Sequence, residues 1–121
     1  MKIRINGNSL RLRLAQAEIS QLVKLGEVST ECKIGNNHLT YRIISKNVPQ
    51  IYAQFEDQTI SVYIPKKMIN HWDIDERVGF DHSADDLYIL IEKDFQCLKP
   101  RPNEDESDLF PNPQSTITSY D

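Results

Sequence analysis

Any chemistry in this chain must come from two cysteines, three histidines and an uneven distribution of charge. Nucleophilic catalysis needs a thiol or hydroxyl, a base beside it, and a group that orients the base. Cys97 is the candidate nucleophile, because it ends an apolar strand next to a charged segment. A small thiol-dependent hydrolase is therefore one reading. His38, His71 and His82 are the available bases, and no spacing brings one of them to Cys97. Cys32 falls on the alternating face of a strand and reads as a small core hydrophobe. Neither cysteine has a second Cys or a His within four residues, so zinc-ligand spacing is missing. Asp73-Ile74-Asp75-Glu76-Arg77-Val78 opens like a calcium loop. It then puts Arg77 and Val78 where an oxygen ligand and a glycine are needed. The glycines at 7, 26, 35 and 79 read as turns or caps, which leaves no phosphate-cradling loop. No metal, cofactor or catalytic set is implied.

Charge carries the rest of the signal. Fourteen Lys+Arg against eighteen Asp+Glu give a net charge of −4, the wrong sign for a generic polyanion binder. Residues 1–24 nevertheless set Lys2, Arg4, Arg11, Arg13 and Lys24 against Glu18 alone, a local +4. Residues 98–121 set Lys99 and Arg101 against Glu104, Asp105, Glu106, Asp108 and Asp121, a local −3. The binding candidates are accordingly Arg4, Arg11, Arg13, Cys97, Glu104, Asp105, Asp108 and Phe110. No apolar run reaches the ~18–20 residues of a membrane helix. The opening Met1-Lys2-Ile3-Arg4-Ile5-Asn6 alternates rather than forming a signal-peptide core. Two distant cysteines suggest no secreted disulfide framework, so the expectation is cytoplasmic.

The elements that must position these residues are mostly strands. Residues 2–5 and 9–14 alternate around Asn6-Gly7-Asn8, a strong hairpin signal. Ile3, Ile5, Leu10, Leu12 and Leu14 then share a buried face, and Arg4, Arg11 and Arg13 the other. Ile19, Leu22 and Val23 make a helical stripe over 16–25, with Gly26 as its C-cap. Ala15 stands where a capping box wants Ser or Thr, so the helix start is weak. Val28 to Ile34 and Leu39 to Ile44 alternate around Gly35-Asn36-Asn37-His38, and Asn47-Val48-Pro49 breaks the strand. Ile51 to Phe55 and Ile60 to Ile64 flank Glu56-Asp57-Gln58. Pro65 opens a short helix through Met68, Ile69 and Trp72. Val78-Gly79-Phe80 reads as a short strand and Leu87 to Glu92 as the most apolar one.

The fold class is α+β. It comprises an antiparallel or mixed β-sheet with an N-terminal hairpin, one main helix packed on one face, a β-grasp-like arrangement as first topology, and an extended C-terminal segment. Residues 1–97 form the domain. Residues 98–113 form a Pro-rich acidic strap anchored by Leu98, Leu109 and Phe110, and residues 114–121 a mobile tail. The strap's acids are expected to reach the basic face of Arg4, Arg11 and Arg13. The core prediction unites Ile3, Ile5, Leu10, Leu12, Leu14, Ile19, Leu22, Val23, Ile89 and Ile91.

Two resemblances accompany this reading. The opening Met1-Lys2-Ile3-Arg4-Ile5-Asn6-Gly7-Asn8-Ser9-Leu10-Arg11-Leu12-Arg13-Leu14 and the closing Glu92-Lys93-Asp94-Phe95-Gln96-Cys97-Leu98, with Glu104-Asp105-Glu106-Ser107-Asp108 and Phe110-Pro111-Asn112-Pro113, resemble an uncharacterised bacterial family of unknown function. That resemblance implies a small soluble bacterial protein. Ser61-Val62-Tyr63-Ile64-Pro65-Lys66-Lys67-Met68-Ile69 and Asp75-Glu76-Arg77-Val78-Gly79-Phe80 are locally similar to AbrB-type swapped-hairpin transcription factors. That similarity implies DNA binding through Arg4, Arg11, Arg13, Lys66 and Lys67. The leading expectation is a non-enzymatic domain that binds a protein or small-ligand partner, with nucleic acid disfavoured by net charge.

Overall fold

The computed structural model describes residues 1–96 and 105–113. It contains eight strands and one helix: β1 Lys2–Asn6, β2 Ser9–Leu14, α1 Gln16–Leu25, β3 Glu27–Ile34, β4 Asn37–Lys46, β5 Tyr52–Glu56, β6 Thr59–Pro65, β7 Gly79–Ala84 and β8 Leu87–Lys93. Four strand pairs are hairpins closed by two residues, at 7–8, 35–36, 57–58 and 85–86. Asp57 and Gln58 (φ 51° and 59°), like Asp85 and Asp86 (φ 52° and 64°), take left-handed backbone at both central positions. That is what a type I′ hairpin requires.

The hairpins assemble by one plan used twice. The first sheet runs β1-β2-β8-β7 and the second β3-β4-β6-β5. In each, the second strands of two hairpins lie side by side and parallel, β2 with β8 and β4 with β6. The α+β class holds, and each sheet is mixed. A β-grasp would place the strands in a single sheet. Here the chain leaves the first sheet after β2, builds the whole second sheet, and returns through β7 and β8.

One cluster of buried side chains joins both sheets to the helix. Leu10, Leu12, Leu14, Ile89 and Ile91 come from the first sheet, and Val28, Tyr41, Ile43, Ile60, Val62 and Ile64 from the second. Ile19 and Leu22 come from α1. Ile3 and Val23 are only partly buried, and Ile5 is 57% exposed. Ile5 sits at the turn end of an edge strand, so alternation places it on the inner side without a second layer above it. Cys32, read as a core residue, departs from expectation for a related reason, and Ile34 shares its position. Strand β6 begins opposite Thr40, so the tip of the β3–β4 hairpin overhangs the sheet and both residues are exposed.

Two further local readings are corrected. After Pro65 the chain makes successive turns instead of a helix. His71 takes φ 65°, which ends any right-handed helical path, while Trp72 Nε1 donates to the Arg77 carbonyl at 2.7 Å. Arg77 organises the segment: its guanidinium donates to the carbonyls of Met68 and Asn70 and to the Asp75 carboxylate, all within 2.7 Å. Strand β7 is longer than the expected Val78–Phe80. Its polar sequence Phe80-Asp81-His82-Ser83-Ala84 masks an edge strand with Phe80 and His82 half-buried. Gly79, read both as a turn glycine and as the middle of that short strand, opens β7. A Cβ there would stand 2.4 Å from the Ile91 carbonyl oxygen.

Residues 105–113 return to the start of the helix. Asp108 accepts from the backbone N–H of Gln16 through its carbonyl and from that of Ala17 through its carboxylate. Those donors belong to the first turn, where Ala15 has no side chain to offer. Phe95 and Phe110 form a parallel bridge, with Gln96 N–H donating to the Phe110 carbonyl at 2.7 Å. Leu109 is buried.

Candidate functional site: the arginine face of the first sheet

Strand alternation turns Leu10, Leu12 and Leu14 inward and Arg11 and Arg13 outward. Antiparallel pairing with β1 then sets Arg4 directly opposite Arg11 and Lys2 directly opposite Arg13. Four cations therefore crowd one outer face. Like charges at directly opposed positions destabilise a sheet unless something answers them. Parallel pairing with β8 supplies the answer: Arg13 lies beside Glu92 and Arg11 beside Leu90. One Glu92 carboxylate oxygen accepts from Arg11 Nε at 2.6 Å and from Arg13 Nε at 2.9 Å. Lys2 Nζ stands 3.1 Å from the buried Asp94 carboxylate. Among the described residues Arg4 has no ion pair or hydrogen bond through its side chain.

The face is concave at this point. A depression of about 230 Å³ is lined by Arg4, Asn6, Ser9, Arg11, Tyr88 and Leu90. The Tyr88 hydroxyl donates to Asp81 at 2.9 Å, which holds the phenol's pKa above its ordinary value. The floor thus offers an aromatic ring and Leu90 beside two guanidiniums. Such an arrangement can hold an anion and an adjoining flat apolar group.

The inward side of β8 carries a different device. Lys93 is buried, with Nζ donating to the Asp75 carbonyl at 2.6 Å and lying 5.0 Å from the Phe110 ring. Burial pushes its ammonium pKa down. Sequence reasoning passed over Lys93, Arg77 and Glu92. Only Glu92 had a signal, since it continues the outward parity of Tyr88 and Leu90.

The structure brings together Arg4, Arg11 and Arg13 and separates most other candidates. Asp105 is exposed, with its pKa lowered by the Ser107 N–H that it accepts. Asp108 meets the N-terminus of α1 rather than the arginines, and Phe110 packs beside Phe95 and Lys93. Cys97 and Glu104 lie outside the described residues. Lys66 and Lys67 follow β6 in the second sheet and border a separate depression with Asn47, Val48 and Pro49. His38, His71 and His82 are dispersed over β4, a turn and β7. Among the described residues no group of His, Cys, Asp and Glu could hold a metal ion. No helix among them is long and apolar enough to cross a membrane.

Fold and face together define an α+β domain of two mixed four-stranded sheets with a cationic outer surface. The chain belongs to the family of unknown function DUF7009, whose model matches residues 1–114. No curated protein and no solved structure matches it. The AbrB-type similarity finds no support there, and its strand-Pro-helix unit is here a strand followed by turns.

Proposed function

We propose that this chain is a non-enzymatic binding module of the cytoplasm. Its first-sheet outer face recognises a carboxylate or phosphate group on a protein or small-ligand partner. The carrying observation is Arg4: it stands opposite Arg11 with no counter-ion among the described residues, while the Glu92 carboxylate is shared by Arg11 and Arg13. A fold gains nothing from that opposition, and such local costs concentrate where a surface is used. An anion bridging Arg4 and Arg11 removes the repulsion and satisfies guanidinium N–H groups that Glu92 leaves unused. Tyr88 and Leu90 beside it favour a ligand with a ring or alkyl group next to its charge. The exposed free thiol of Cys32 suits a reducing compartment.

The test is an amide-resolved NMR titration with phenyl phosphate, using sodium chloride at matched ionic strength as the control. Saturable shifts at residues 4, 9, 11, 88 and 90, lost in a folded Arg4→Ala variant, are expected. Shifts no larger than those from chloride, or saturable shifts confined to other surfaces, would overturn the reading.

A further inference from the structure

We propose that two copies of this chain associate through strand β3, antiparallel and centred on Cys32, so that the second sheet continues across a two-fold axis. Four strands end the two sheets: β1, β7, β3 and β5. Each edge presents unpaired backbone N–H and C=O groups to any strand that fits. Self-pairing is blocked on two of them by charge. β1 carries only cations, Lys2 and Arg4, and β7 carries Asp81 beside the acidic turn Asp85-Asp86. β5 has five residues and a single charge, Glu56.

β3 differs in length, exposure and charge order. It has eight residues, and every side chain from Glu31 to Ile34 is exposed. Its outer half belongs to the overhanging hairpin, where β4 from Asn37 to Leu39 has no paired strand on its other side. Glu31 and Lys33 flank Cys32. A two-fold axis at Cys32 therefore sets Glu31 of each copy opposite Lys33 of the other, twice over. No other edge has a self-complementary order of this kind. Glu31 has an exposed His38 3.6 Å away, and Lys33 has no ion pair among the described residues. Both charges thus remain available.

The same axis stacks the apolar side. Cys32 and Ile34 share one face of β3, and Leu39 lies across from Cys32 on β4. Ile34 is 60% exposed in the single copy. Pairing joins these two apolar tips into one patch, extending the inner face past the end of the sandwich. The contact is small, so the dimer should be concentration-dependent.

The experiment measures mass in solution by light scattering from about 10 μM to about 1 mM protein, the range in which small interfaces form. The chain should pass from monomer to dimer. Glu31→Lys and Lys33→Glu, each alone, oppose like charges twice and should weaken association about tenfold. The double swap Glu31→Lys with Lys33→Glu should restore it. In a Cys97→Ser background, a short bis-maleimide should link the two Cys32 thiols in the unswapped and doubly swapped chains, and much less in either single swap. A chain that stays monomeric throughout overturns the proposal. So does a dimer that is indifferent to the single swaps, or one whose Cys32 thiols do not cross-link. Both swapped positions are exposed, and unchanged melting temperatures will show that the variants fold.

Discussion

Replacing Glu92 by Gln isolates the electrostatics of the arginine face, because the side chain keeps its shape and loses its charge. In the parent, Glu92 answers Arg11 and Arg13, Asp94 answers Lys2, and Arg4 has no counter-ion among the described residues. The variant leaves Asp94 alone against four cations. Two contacts of 2.6 and 2.9 Å weaken, and their guanidiniums are 36% and 39% exposed. Each exposed pair is therefore worth at most about 1 kcal/mol. Two directly opposed like-charge pairs, Arg4 with Arg11 and Lys2 with Arg13, then lose their screen, at about 0.2–1 kcal/mol each. The combined loss is about 2 kcal/mol, or a fall of roughly 8 °C in melting temperature for a domain of this size. The assay is thermal unfolding by circular dichroism in dilute buffer and again at about 0.5 M salt, where the Debye length is only a few ångströms. Salt should recover part of the loss, and adding Arg4→Ala to Glu92→Gln should recover more. A variant melting within about 1 °C of the parent in dilute buffer would refute the reasoning. So would a loss indifferent to salt.

Two other outcomes follow from single contacts. Gly79→Ala should cost about 1–3 kcal/mol, because its methyl would meet the Ile91 carbonyl oxygen at 2.4 Å and the Glu92 Cα at 2.9 Å; denaturant unfolding checks this, and an unchanged midpoint would show that the strands separate freely there. The Asp75 carboxyl is held below its ordinary value of 3.8, first by the hydrogen bond from the Arg77 side chain. The unfolded chain therefore takes up this proton at higher pH than the folded one. The stability it contributes is fully present above that value and is lost as pH falls through the lower folded value. Asp75→Asn should be less stable at neutral pH and show a shallower decline below about pH 4. Urea midpoints measured against pH read this directly, and parallel curves for the two proteins would contradict it.

The sequence by itself determined the local elements, because period and turn chemistry act over few residues. The helix over 16–25, its Gly26 cap at φ 86° and the Asn6-Gly7-Asn8 reversal were all legible. So was the grouping of Arg4, Arg11 and Arg13 on one face, which needs only the two-residue period and one hairpin. The tertiary structure decided what depends on distant partners. A two-residue period says which side of a strand is inward and not whether another layer lies above it, so Ile5 and Cys32 were misplaced at edges. The missing cap at Ala15 was visible in the sequence, but Asp108, 91 residues beyond Ala17, fills it only through the fold. Glu92 became the counter-ion of Arg11 and Arg13 because β2 and β8 lie parallel, a pairing that no local pattern encodes. The division into two sheets has the same origin. Each hairpin is written in its own residues, whereas the partner it lies beside is chosen by burial of the common core.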